Sequence, residues 1–108
     1  MNQEERRRTP RFPFIASAEI HDENSGSRLP TRVSDISAQG CYVDTVNPFP
    51  DGTPVRVKIY TNTHEFEAPA TVAYALMHLG MGLSFREVKP DSLAILQNWL
   101  PTEAQENA

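Results

Sequence analysis

Apolar and polar residues alternate with a period of two along most of this chain. Phe12, Phe14, Ala16, Ala18 and Ile20 occupy every second position, with Pro13, Ser17, Glu19 and His21 between them. Successive side chains of an extended chain point to opposite faces, so this run predicts a strand with one buried side. The polar stretch 22–27 reads as a turn. A second extended segment runs from residue 28 to about 34. It is interrupted by Asp35-Ile36-Ser37-Ala38-Gln39-Gly40 and resumes as a short strand at Cys41-Tyr42-Val43. After the turn chemistry of Asn47-Pro48-Phe49-Pro50-Asp51-Gly52, Val55, Val57 and Ile59 alternate with Arg56 and Lys58. Phe66, Ala68, Ala70, Val72 and Tyr74 then alternate with Glu65, Glu67 and Thr71, and Pro69 inside that run marks an edge strand or a bulge. Met81, Leu83 and Phe85 alternate with Gly80, Gly82 and Ser84, where the glycines signal close backbone approach or a sharp bend.

Only the end of the chain changes period. Leu93, Ile95, Leu96, Trp99 and Leu100 follow helical spacing after a first-turn proline and capping groups in Pro90-Asp91-Ser92, and Pro101 stops the run. Trp99 reads as a packing anchor for that helix on the sheet. Five or six short strands followed by one helix predict an all-β dominated fold, a small antiparallel barrel or sandwich. The chain divides into a flexible arginine-rich arm over residues 1–11, a body over 12–101 and a frayed tail over 102–108.

With 108 residues, 39% of them hydrophobic and 22% charged, the chain is sized for one domain with one core, and wholesale disorder is excluded. Cys41 is the only cysteine, so an internal disulfide and a cysteine-rich zinc site are both ruled out. No run approaches the roughly 18 apolar residues of a membrane span, and Met1-Asn2-Gln3-Glu4-Glu5 has no apolar leader character. The expectation is a soluble, cytoplasmic protein without membrane insertion.

Charge is distributed unevenly. The arm carries four arginines against two glutamates, or +2, whereas the remaining 97 residues carry six basic and twelve acidic side chains, or −6. A guanidinium fork binds phosphate bidentately and stacks on flat rings, which an ammonium does poorly. An arginine cluster on an acidic body therefore suits a compact anionic ligand better than long nucleic acid.

Catalytic constellations are missing from the sequence. His21, His64 and His78 fall in separate turns or strand ends without metal-ligand spacing. Ser37 near Asp35 lacks a histidine placed to act as its base, and Cys41 in a strand reads as a small buried hydrophobe. No catalytic residue, metal site or cofactor is expected. Two segments remain. Arg7 and Arg11 form R-x-x-x-R within Arg6-Arg7-Arg8-Thr9-Pro10-Arg11, kept extended by Pro10. Asp35, Ser37 and Gly40 form D-x-S-x-x-G, where Asp and Ser also suit turn capping and Gly40 a positive-φ position.

The pairing of these motifs across a 23-residue strand and hairpin resembles the PilZ family of cyclic di-GMP receptors. The likeness extends over essentially the whole chain, since Ala70-Thr71-Val72-Ala73-Tyr74, Gly80-Met81-Gly82-Leu83-Ser84-Phe85 and the terminal helix fall where that family has them. It implies a six-stranded antiparallel β-barrel with a C-terminal α-helix, in a stand-alone bacterial second-messenger sensor that is not an enzyme. It also implies that Arg6, Arg7 and Arg11 clamp phosphates and guanines, that Asp35 accepts from guanine N–H groups, and that Ser37 adds a hydrogen bond. Gly40 would leave room for the ligand, and Arg8 would be a bystander. In such a family an arginine at position 6 goes with two ligand molecules per chain. The implied mechanism is an arm that folds onto the barrel when ligand arrives and alters the surface shown to an unidentified protein partner. Two other readings stand beside it: a PilZ-fold adaptor that binds protein without nucleotide, and a small nucleic-acid-binding barrel. The acidic body and the scarcity of surface aromatics weigh against the latter.

Overall fold

A computed structural model describes residues 9–101. Six strands follow in chain order: β1 (Phe12–Asp22), β2 (Arg28–Ile36), β3 (Gly40–Asp44), β4 (Pro54–Tyr60), β5 (Glu65–Leu76) and β6 (Gly80–Phe85). One helix, α1 (Pro90–Trp99), comes after them. All neighbouring strands are antiparallel, and the sheet closes on itself in the order β1-β2-β3-β6-β5-β4. The expected barrel is therefore the architecture, with closure leaving no free sheet edge.

The period-two apolar positions fill the interior. Ile20, Val33, Ile36, Val43, Val55, Val57, Ile59, Phe66 and Met81 are completely buried, and Ala16, Ala18, Ala68 and Ala70 add small buried side chains to the same interior. Between the strands, the 22–27 turn is held by Asp22, whose Oδ1 accepts from the Asn24 backbone N–H at 2.8 Å, with Gly26 at φ 80°.

α1 lies against β5 and adds Leu96 and Leu100 to the core. Trp99 does serve as the anchor, its ring 5.0 Å from Phe14 and 6.3 Å from Phe66. Pro90 begins the helix as expected, but its N-cap is Lys89 without a side-chain bond. Ser92 Oγ is used otherwise: it accepts from the Glu67 backbone N–H at 3.3 Å and ties the helix to β5.

The ladder register shifts at three places. A register shift on the β1–β2 ladder lets Phe14 and Ile15 face Ser34 alone, Ser34 is the extra residue of β2 against β3, and Ala73 is the extra residue of β5 against β6. The shifts at Ser34 and Ala73 are bulges that reverse the facing of the side chains beyond them, whereas β1 keeps its alternation, with Phe12, Phe14 and Ala16 all on the core side. Pro69 is at none of them. The Arg86 N–H donates to its carbonyl at 2.8 Å just past the end of β6, so the side on which Pro69 lacks an N–H is a local edge of an otherwise closed sheet.

Candidate functional site

The two bulges assemble one surface. Without the extra Ser34, Asp35 would point inward as Val33 does. With it, Asp35 faces out and Ile36 turns into the core. Without Ala73, Tyr74 would follow Val72 inward, but the bulge places it on the outside. This corrects the sequence pattern, in which Tyr74 continued the buried face begun at Phe66. Pairing then aligns one row across five strands: Pro13 opposite Asp35, Asp35 opposite Tyr42, Tyr42 opposite Gly82, and Gly82 opposite Tyr74.

Above this row lies an open cleft of about 840 Å³, bordered by Arg11, Asp35, Ser37, Gly40, Tyr42 and Tyr74 among others. Its size falls in the roughly 300–1,000 Å³ range of small-molecule sites. Arg11 Nη1 donates to Tyr74 Oη at 2.9 Å. That bond and the electrostatic interaction with Tyr74, with a smaller contribution from the charge of Asp35, raise the already high pKa of the guanidinium against the opposing effect of burial, so Arg11 is a permanent cation at the cleft. Asp35 is half-buried, with Oδ1 shielded from solvent. Burial, with a smaller contribution from the Asp35 charge, pushes the Cys41 thiol far above its usual range and leaves it inert behind the site. Burial also raises the Tyr42 phenol, as do neighbouring Tyr74, Asp44 and Asp35.

The tyrosine rings lean over β6 from both sides, with centroids 6.2 Å apart and planes inclined by 33°. Glycine makes this possible. A Cβ on Gly82 would sit 2.3 Å from Tyr74 Cε1, and one on Gly80 would sit 2.6 Å from Tyr42 Oη. The close approach read from the β6 glycines is therefore of aromatic rings as well as of backbone.

Of the six residues singled out from the sequence, Arg11, Asp35, Ser37 and Gly40 border the same cleft, while Arg6 and Arg7 lie outside the described residues. D-x-S-x-x-G is not wholly a turn, because β2 continues through Asp35 and Ile36 and the break spans only residues 37–39. Ser37 is the staple of that break. Its Oγ accepts from the Gly40 N–H at 3.0 Å and the Gln39 N–H at 3.2 Å and donates to the Gly40 carbonyl at 3.3 Å. Gly40 has no positive φ, the described glycines with one being Gly26 and Gly52. Nor does its missing side chain leave space for a ligand: a Cβ there would lie 2.1 Å from the Leu83 carbonyl oxygen, so the strand next door already fills the gap. Tyr42 and Tyr74 were not singled out as site residues. The alternation of Gly80 and Gly82 was the one sequence signal of the surface they share.

Fold and cleft together define a closed barrel that carries a cation, a carboxylate and two aromatic rings on one outer face. The family profile of the PilZ domain matches residues 5–100, and the chain belongs to that family. Among solved structures it is similar to the Bacillus subtilis inhibitor of motility, MotI/DgrA, with 22% identity and a TM-score of 0.73 over 94% of this chain and 52% of that one. It is similar also to Escherichia coli YcgR in complex with c-di-GMP, with 17% identity and a TM-score of 0.74 over 94% of this chain and 47% of that one. The isolated PilZ domain of YcgR with c-di-GMP gives 15% identity and a TM-score of 0.72, covering 94% and 93% of the two chains. The chain thus spans about half the length of the MotI/DgrA and YcgR chains, and these likenesses are of fold. Comparison with curated protein sequences gives no match.

Proposed function

We propose that this protein is a receptor for cyclic di-GMP that acts by binding rather than catalysis. The observation that carries the reading is the meeting of the two sequence motifs: Arg11 and Asp35, separated by a strand and a hairpin in sequence, border one cleft floored by tyrosine. The ligand offers two phosphates and two guanines. The O6/N7 edge of guanine suits an arginine fork, and its N–H edge suits the Asp35 carboxylate. Membership of the PilZ family and the c-di-GMP complexes among its structural neighbours support the assignment.

Arg6 and Arg7 complete the cation set. Charge-assisted hydrogen bonds contribute about 1.5–3 kcal/mol each, so several exceed the roughly 8 kcal/mol of micromolar binding. Ordering an arm costs on the order of 1–2 kcal/mol per residue, which leaves a modest surplus suited to a reversible signal. The arm folds onto the barrel with ligand and presents a changed surface to a protein partner, and Arg6 favours two ligand molecules per chain. Calorimetry with cyclic di-GMP, GTP and a short RNA on wild type, Arg7→Ala and Asp35→Ala tests the assignment. Saturable heat with cyclic di-GMP alone, lost in both variants, is the expected result. Equal heats from all three proteins remove the site, and saturation at one ligand per chain removes the paired stoichiometry.

A further inference from the structure

We infer that two copies of this chain associate through the hairpin end of β5, paired antiparallel about Ala75. The barrel closes at its waist, but β5 outruns β4. Their pairing ends with Thr71 opposite Pro54, and the loop that follows reaches only Val72, whose N–H donates to the Thr53 carbonyl and whose carbonyl accepts from the Gly52 N–H. Beyond it, Tyr74, Ala75 and Leu76 have a strand neighbour on the β6 side alone, a second local edge of the sheet. Alternation decides which backbone groups are left over. The Leu83 carbonyl faces β3, where it meets Gly40, so Gly82 and Gly80 turn theirs toward β5 and bond Tyr74 and Leu76. Ala75, between them, directs its N–H and carbonyl outward.

Natural proteins blunt such an edge with charged side chains or proline. This one has neither. From Ala68 to Phe85 the sequence holds no Asp, Glu, Lys or Arg, and Pro69 lies before the overhang. The end of the hairpin is apolar instead. Leu76, Met77 and Leu79 are joined there by Val46, whose carbonyl accepts from the His78 N–H at 3.2 Å, and all four are between 44% and 64% exposed. They form a patch of roughly 400 Å², the size that marks an interaction site.

The occupant that fits is a second copy. An uncharged patch offers an acidic or basic partner, or an anionic lipid surface, nothing to pair with. The chain beyond Pro101 holds no large apolar side chain to cover it. The same edge, by contrast, matches itself. An antiparallel pair centred on Ala75 exchanges two N–H···O bonds between the two alanines and sets Leu76 of each copy opposite Tyr74 of the other. Tyr74 leans its ring over Gly82, away from the edge, so the incoming leucine meets an open flank. Both copies together bury roughly 800 Å² of apolar surface, below a standard interface, so the pair is weak and depends on concentration.

Analytical ultracentrifugation without ligand, from about 10 μM to about 1 mM, tests this on wild type, Ala75→Pro, Leu76→Lys and Leu93→Lys. Leu93 is an exposed apolar residue of α1 and serves as the control. The weight-average mass of wild type and of Leu93→Lys rises from that of one chain toward that of two, whereas Ala75→Pro and Leu76→Lys stay at one. Proline is compatible with the intrachain ladder because the Ala75 N–H is not used in it. Circular dichroism verifies folding, and Leu76→Lys, a change at an exposed side chain, decides the matter should Ala75→Pro not fold. Hydrogen exchange at the wild-type Ala75 amide slows at least about twofold between the dilute and the concentrated sample, while the Tyr74 and Leu76 amides, already bonded to β6, change less. A wild type that remains a single chain at about 1 mM overturns the inference, as does association that survives in Leu76→Lys or in folded Ala75→Pro.

Discussion

Gly40→Ala separates two roles that the D-x-S-x-x-G motif leaves entangled. A methyl group there starts 2.1 Å from the Leu83 carbonyl oxygen and 3.2 Å from its carbon, and carbon–oxygen contacts of this kind essentially never fall below 3.0 Å, so the strands must part by about 1 Å. The obstacle is backbone rather than a side chain that can swing away. Leu83 is also fixed on both sides, opposite Cys41 on β3 and Val72 on β5, and a closed barrel has no edge strand to yield. Overpacking of this sort costs about 1–3 kcal/mol, and weakening one or two ladder hydrogen bonds adds roughly 0.5–1.5 kcal/mol each. The expected loss is about 2–4 kcal/mol, or a fall in Tm of roughly 10–30 °C for a domain of this size. Urea and thermal denaturation followed by circular dichroism measure it. Gly26→Ala is the control, since nothing lies within 4 Å of its Cβ position and only its φ of 80° is unfavourable, a cost of about 1–2 kcal/mol. If Gly40→Ala keeps wild-type stability yet loses ligand, the glycine serves the ligand directly and the argument from strand approach fails.

Three further outcomes follow from the same geometry. Leu96→Ala removes a completely buried helix side chain from the core and is expected to cost about 2–5 kcal/mol by chemical denaturation, a value near zero showing that α1 does not share the barrel core. Cys41 is buried with its thiol pKa pushed up by desolvation, so a disulfide reagent at neutral pH labels it only as fast as the protein unfolds; rapid native-state labelling contradicts that burial. Asp22, hydrogen-bonded by the Asn24 N–H, and Glu19, hydrogen-bonded to His21, both titrate below their ordinary range. A depressed carboxylate pKa gives stability that is fully present above the unfolded value of about 4 and is lost as pH falls through the folded one, so urea midpoints drop in acid and drop less in Asp22→Asn.

The barrel was legible because burial of one face writes itself into the sequence at every second residue, as from Ala16 to Ile20 and from Val55 to Ile59. The helix was legible through the spacing of Leu96, Trp99 and Leu100. The site was legible only in part. Arg11 and Asp35 stood out by chemistry, but their cleft depends on Ser34 and Ala73, ordinary residues that become bulges when a neighbouring strand imposes its register. Local alternation carries no trace of that, and so Tyr74 was assigned to the wrong face. The register shift near Phe14 left the alternation of β1 intact, so that strand was read on its correct face. Ser37 and Gly40 were found by motif, while their work, stapling a three-residue break and admitting a neighbouring carbonyl, emerges only from contacts across the sheet.

The contact between Trp99 and Phe14 has a practical consequence. Trp99 is the sole indole in the sequence, and it rests 5.0 Å from a ring three residues along the chain from Arg11. Its emission is thus a label-free optical gauge of how the first strand enters the barrel. Any displacement of that entry is recorded at the end of the helix, without a dye or an added tag.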